Sequence, residues 1–199
     1  MKRNAALSLQ ITLAAALVAV AGCGESAAAP DRTVGPSAVT PAAQLAGAAT
    51  TSQVTIVPAG AQSELLACPG MRAGEATRVI GPGGGLLRVD GHVVAIPRGA
   101  VNTPTRFTLT VPGNGYAEVD VKAEGFEHYV FARPVVVTID YSMCGVEPTA
   151  HQFYGWYIDQ SSHRLLQDMA AVDDRYNQRL FFATDHFSGY AVAYVRDVE

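Results

Sequence analysis

Charge is scarce in this chain, and what there is leans acidic. Only 16% of its 199 residues are charged, 14 basic against 18 acidic. Beyond Lys2 and Arg3 there is no basic cluster. Nucleic-acid affinity rests on neutralised phosphates, so nucleic acid is excluded as a partner. Nor does anything draw the chain electrostatically to an anionic membrane. No long 3.6-residue apolar pattern is present, and no repeat with a period of about 20–50 residues. His92, His128, His151, His163 and His186 form no His-x-x-x-His or His-x-His pair, so metal ligation has no support. The run Gly81-Pro82-Gly83-Gly84-Gly85 lacks the Lys-Ser/Thr of a phosphate loop and leads into a strand, so it reads as turn chemistry. No cofactor and no conventional enzyme activity are expected.

The one long apolar run comes first. Lys2 and Arg3 precede residues 7–21, whose length suits a signal h-region and is short for a membrane span. The run ends in Val20-Ala21-Gly22-Cys23. This resembles the lipobox of bacterial lipoproteins, in which small residues precede a cysteine. The resemblance implies removal of residues 1–22, a diacylglyceryl group on Cys23 and an acyl chain on the new amino terminus. One chain binds a membrane only marginally, so lasting attachment needs several. With the leader gone, 12 basic and 18 acidic side chains remain, a formal net charge of −6. Gly24, not Asp, follows the cysteine. Under the sorting rule of enteric bacteria this implies the outer membrane; in a single-membrane cell it implies the outer face of the plasma membrane.

Residues 23–51 hold the lipid-bearing cysteine and a stretch rich in Ala, Ser, Thr, Pro and Gly. Pro30, Pro36 and Pro41 interrupt any long helix, so this is a spacer. Cys68 and Cys144 are then left as an even pair in an exported chain, which points to a disulfide; two buried thiols are the other arrangement. A bridge would close a loop worth roughly 3–4 kcal/mol on the chain-entropy model.

Residues 52–199 read as strand after strand. The clearest stretch is residues 80–111. Its glycine run admits unusual backbone angles, Asp90-Gly91 is a two-residue hairpin signal, and Pro97-Arg98-Gly99 suits a type I turn with proline second and glycine fourth. Phe107, Leu109 and Val111 alternate with Arg106, Thr108 and Thr110. Further strands are expected at residues 53–57, 77–80, 116–122, 134–141, 153–159, 164–169, 179–184 and 190–196. Residues 159–162 and 173–177 are read as polar turns. Short strands, frequent turns and consecutive hairpins predict an all-β antiparallel sandwich.

Gly84-Gly85-Leu86 with Ile96-Pro97-Arg98-Gly99-Ala100-Val101, Arg133-Pro134-Val135-Val136-Val137, and His186-Phe187-Ser188-Gly189-Tyr190 resemble, in that order, the signature of the ZU-five domain. That domain occurs in ankyrins, netrin receptors, zonula occludens proteins and bacterial surface proteins. The resemblance covers residues 77–195 and implies a β-sandwich used for binding or scaffolding. No companion domain is expected, and the cysteine pair is not a family feature, so the partners of the eukaryotic relatives are not expected to transfer. Some relatives cut their own chain within the last motif. Carried over, Ser188 would attack the Phe187 carbonyl with His186 as base. The alternative is that His186 and Ser188 bond to backbone and Phe187 and Tyr190 pack.

Three other groups bear on function. Glu118, Asp120 and Glu124 are expected on the outer side of a strand and its exit. Asp173-Asp174 reads as a solvated loop pair. Tyr154, Trp156 and Ile158 share a face and are expected in the core, the alternative being a carbohydrate platform. The expectation is an exported, lipid-anchored, non-catalytic module binding a protein or glycan of the envelope. Self-cleavage is the first alternative, and glycan binding through Tyr116 and Tyr157 the second.

Overall fold

The computed structural model describes residues 54–147 and 149–196. The leader, Cys23 and the spacer lie outside the described residues. In chain order the strands are β1 (Ser63–Leu65), β2 (Gly74–Ile80), β3 (Gly85–Val89), β4 (His92–Ile96), β5 (Thr105–Val111), β6 (Glu118–Ala123), β7 (Val130–Asp140), β8 (Phe153–Asp159), β9 (Arg164–Asp168), β10 (Val172–Asp174), β11 (Arg179–His186) and β12 (Gly189–Val195). They form two antiparallel sheets packed as a sandwich. One has the order β2-β5-β6-β12-β8-β9, with β1 added on β12; the other has the order β10-β11-β7-β4-β3. We call them the first and second sheet.

The hairpin expected at Asp90-Gly91 joins β3 to β4, with φ of 42° and 91° at the two residues, the paired positive angles of a type I′ turn. Phe107, Leu109 and Val111 face the core. Opposite them lie Leu87, Val94, Val135, Val137, Ile139 and Leu180 of the second sheet, all buried. Of the glycine run only Gly84 has a positive φ, 75°. A Cβ there would stand 2.5 Å from the Ile96 carbonyl oxygen, so the close approach of β3 and the chain after β4 requires glycine.

Several expectations need correction. The turn after β4 is one residue further along: Ala100 N–H donates to the Pro97 carbonyl at 3.1 Å, which puts Gly99 third, at φ 78°. That is glycine's position in a type II turn, not type I. Residues 54–57 form no strand. Val54 makes a single bridge to Val172, and Thr55 then spends its hydroxyl on the Phe153 and Ala171 carbonyls. Two short strands, β1 and β10, carry too few residues for alternation to show. β10 includes Asp173 and Asp174, so the turn begins at Arg175. Asp173 is no solvated loop residue: its buried carboxylate accepts the Tyr141 hydroxyl at 2.6 Å and is held above the usual carboxylate range by burial.

Tyr154, Trp156 and Ile158 do share a face, but it is the one turned away from the second sheet; Tyr154 and Ile158 are buried there all the same, as expected, and Trp156 is half-buried. The inward residues of β8 are Phe153, Gly155 and Tyr157. A Cβ on Gly155 would meet Leu180, Ala171 and Phe182 at 2.9–3.0 Å. The second sheet therefore packs directly on that glycine, and the bulky residues turn away.

The cysteines are joined. Cys68 follows β1, Cys144 ends a 3₁₀ turn (Ser142–Cys144) after β7, and the bond spans 76 positions. It ties the first sheet to the second at the far end of β7.

Candidate functional site at the crossover into β12

The His186-Phe187-Ser188 motif is where the chain crosses from the second sheet to the first. β11 ends at His186 and β12 begins at Gly189. The His186 carbonyl accepts two hydroxyls, Tyr190 Oη at 2.6 Å and Thr184 Oγ1 at 3.1 Å. Burial pushes the Tyr190 phenol above its usual pKa, which keeps it a donor. The His186 ring points back along its own strand: Nδ1 lies 3.1 Å from the Asp185 carboxylate and 3.4 Å from Thr184 Oγ1. The bond from His186 holds the Asp185 carboxyl below its ordinary value. Phe187 is buried against Phe107, Phe131 and Tyr129, with ring centroids 5.2, 4.3 and 6.4 Å away. Its N–H donates to the Tyr129 carbonyl, and the Ser188 carbonyl accepts Val121 N–H.

These contacts bear on self-cleavage. Among the described hydrogen bonds, none joins the Ser188 hydroxyl to the His186 imidazole. The carbonyl that receives two preorganised donors belongs to His186, one residue before the Phe187 carbonyl that attack would need. The geometry is that of a latch. Its sequence signal was the motif itself; the roles of Thr184 and Tyr190 were not foreseen, although Tyr190 is the motif's closing residue.

Beside the latch the first sheet has a notch. Gly189 pairs with Asp120 on β6 and Ile158 on β8. Both flanking strands run on past the start of β12, leaving a gap of about 330 Å³ lined by Asp120, Lys122, Phe126, Tyr129, Tyr157, Gln160 and Ser188, among others. Asp120, expected on an outer face open to water, is only 7% exposed. Lys122 Nζ stands 2.7 Å from it and is raised in pKa by that bond. The Gln160 amide, oriented with nitrogen toward Asp120, donates to both carboxylate oxygens at 3.0 and 3.2 Å. Gln160 lies directly over Gly189, where a Cβ would come within 2.3 Å of its Cγ.

The notch continues into a wider concavity of about 750 Å³ over the outer face of β2, β5 and β6. Thr77 and Thr108 share a hydrogen bond at 2.9 Å, and Arg106 pairs with Glu124 at 2.8 Å. Glu124 is exposed, as expected. Phe126 lines both hollows, is 52% exposed, and rests edge-on against Tyr129 at 5.1 Å.

Glu118 is the second correction on β6. It is 1% exposed and lies in register with Ala191 and Trp156 on the outer face. Its Oε1 accepts Asn114 Nδ2 at 2.8 Å, while Oε2 is 3.5 Å from His163 Nε2. Burial raises its pKa. Asn114 lies in the loop just before β6 and His163 in the turn between β8 and β9, so alternation within β6 could not reveal that they cover it. Tyr116 sits against His163 at 5.2 Å, away from the notch, whereas Tyr157 lines it.

No protein-family model matches this chain, and no curated protein matches its sequence. The lipoprotein and ZU-five resemblances rest on the motifs quoted above.

Proposed function

We propose that this chain is an exported, lipid-anchored β-sandwich of ZU-five type that serves as a non-catalytic binding module at the cell envelope. The observation that carries the reading is the crossover. The His186 ring is engaged by Asp185 and Thr184 and not by Ser188, while the sheet beside it is left open as a lined cavity with a fixed polar group. The disulfide supports export, since such bonds persist in oxidising compartments. The anchor rests on Cys23 and the leader before it, with the membrane as the partner of its lipid.

Mass analysis of the amino-terminal peptide, taken from protein extracted from membranes, tests the anchor. A peptide beginning at lipid-modified Cys23 is expected. An amino terminus within residues 1–22, with unmodified Cys23, overturns it.

A further inference from the structure

We propose that the notch at Gly189 and the hollow beside it bind a neutral saccharide chain. Phe126 is the stacking surface, and the Asp120–Gln160–Lys122 group recognises hydroxyls. The proposal rests on the binding-module reading and names its ligand class.

Charge pairing selects the ligand. Each cation facing the two hollows at close range already has a carboxylate: Lys122 has Asp120 at 2.7 Å and Arg106 has Glu124 at 2.8 Å. A phosphate or other anion would have to break those pairs and gain little. A polyol breaks nothing. The carboxylate still has acceptor capacity, the ammonium retains donors, and the Thr77 and Thr108 hydroxyls give and accept.

The aromatic supplies the other half. Phe126 is half exposed, which leaves apolar area in water, yet its contact with Tyr129 fixes its orientation. A fixed ring beside a hydrogen-bonding wall matches a pyranose, which has an apolar C–H face and a hydroxyl rim. Volumes of about 330 and 750 Å³ fall in the range of small-molecule sites, about 300–1,000 Å³. The hollows share Lys122 and Phe126, so a ligand longer than one sugar can run from one to the other.

The test uses the full mature chain on an array of short neutral oligosaccharides, followed by calorimetric titration of the best binder. Phe126→Ala is expected to weaken binding about tenfold or more, as loss of an aromatic anchor does. Gln160→Ala should weaken it as well, and Tyr116→Ala should not. Affinity should be insensitive to salt. Phe126 is half exposed, so Phe126→Ala should keep the wild-type unfolding midpoint; Gln160→Ala leaves Asp120 paired with Lys122 and should stay folded with a somewhat lower midpoint. No neutral oligosaccharide bound, affinity unchanged by Phe126→Ala and Gln160→Ala, or binding confined to anionic glycans and lost in salt would each overturn the proposal. A chain lipidated on Cys23 that binds no sugar sinks the saccharide and leaves the anchor; one that binds sugar but keeps its leader does the reverse.

Discussion

The sandwich is tied together differently at its two ends. At the far end of β7 the tie is covalent, Cys68 to Cys144. At the near end, where Val130 pairs with His186, it is packing and hydrogen bonds: Phe187 among three aromatic rings, and the His186 carbonyl under two hydroxyls. The covalent tie acts largely on the unfolded chain, by limiting how far it can spread. The crossover tie exists only in the folded state. At the first end both cysteines are buried, next to a hollow of about 290 Å³ lined by Met71, His92, Asp140 and Met143 among others. The second is held firmly enough to leave a cavity beside it without loosening the sheets.

Removing each tie in turn sharpens the contrast. Replacing both cysteines by alanine should cost about 4 kcal/mol, from the loop of 76 positions it opens. Denaturant unfolding measures this, and an unchanged midpoint would mean that the bond adds nothing to the far end. Phe187→Ala should cost about 3 kcal/mol or more, the range for a large aromatic removed from a core. A cost typical of a surface site would show that the aromatic cluster is not a tie. The ends are well separated, so the two losses should add. Tyr190→Phe should cost about 1–2 kcal/mol, because the ring stays and only the donor to the His186 carbonyl goes.

The smallest effect is a dependence on pH at the disulfide end. His92 is buried; its Nδ1 accepts the Asp140 N–H at 3.3 Å, which leaves the Nε2 proton facing Met71 Sδ at 3.2 Å. Burial holds its pKa below the usual value, against the pull of Asp140 and Asp90. Its contribution is therefore full above the unfolded pKa of about 6.5 and is lost as pH falls from there through the depressed folded value. Glu118 and Asp173, raised by burial, act in the opposite sense: their contributions are present below the unfolded carboxylate pKa and lost as pH rises through the folded one. The test is thus a difference. Stability of the wild type minus that of His92→Gln should shrink between pH 7 and pH 5, and a constant difference would show that His92 does not titrate in that window.

Much of the sandwich was legible because its signals are local. Asp90-Gly91 announces a hairpin by the backbone angles those two residues tolerate. The alternation of Phe107, Leu109 and Val111 sets the inner face of β5. The cysteine pair needed only compartment and parity. What was not legible depends on neighbours far away in the chain. Alternation grouped Tyr154, Trp156 and Ile158 correctly but could not say which way they face, since Gly155 and the side chains packing on it decide that. Glu118 and Asp120 look outward along β6 and are covered by His163 and Gln160 from the turn between β8 and β9, with Asn114 adding a nearer contact. The notch is a matter of register: it exists because β12 begins opposite Asp120 and Ile158 while its neighbours run on, and no local pattern encodes where a strand starts relative to two others. Likewise the motif at residues 186–188 was visible as a motif. Whether its histidine faces the serine or the preceding aspartate was not.

The central claim is that this crossover is a latch and not a cutting site. The direct measurement is the denatured, non-reduced mass of the mature chain, followed by reduction. The account predicts one species, with the Phe187–Ser188 peptide bond intact and the Cys68–Cys144 bond present until reduction. A second species beginning at Ser188, released on denaturation, would contradict it.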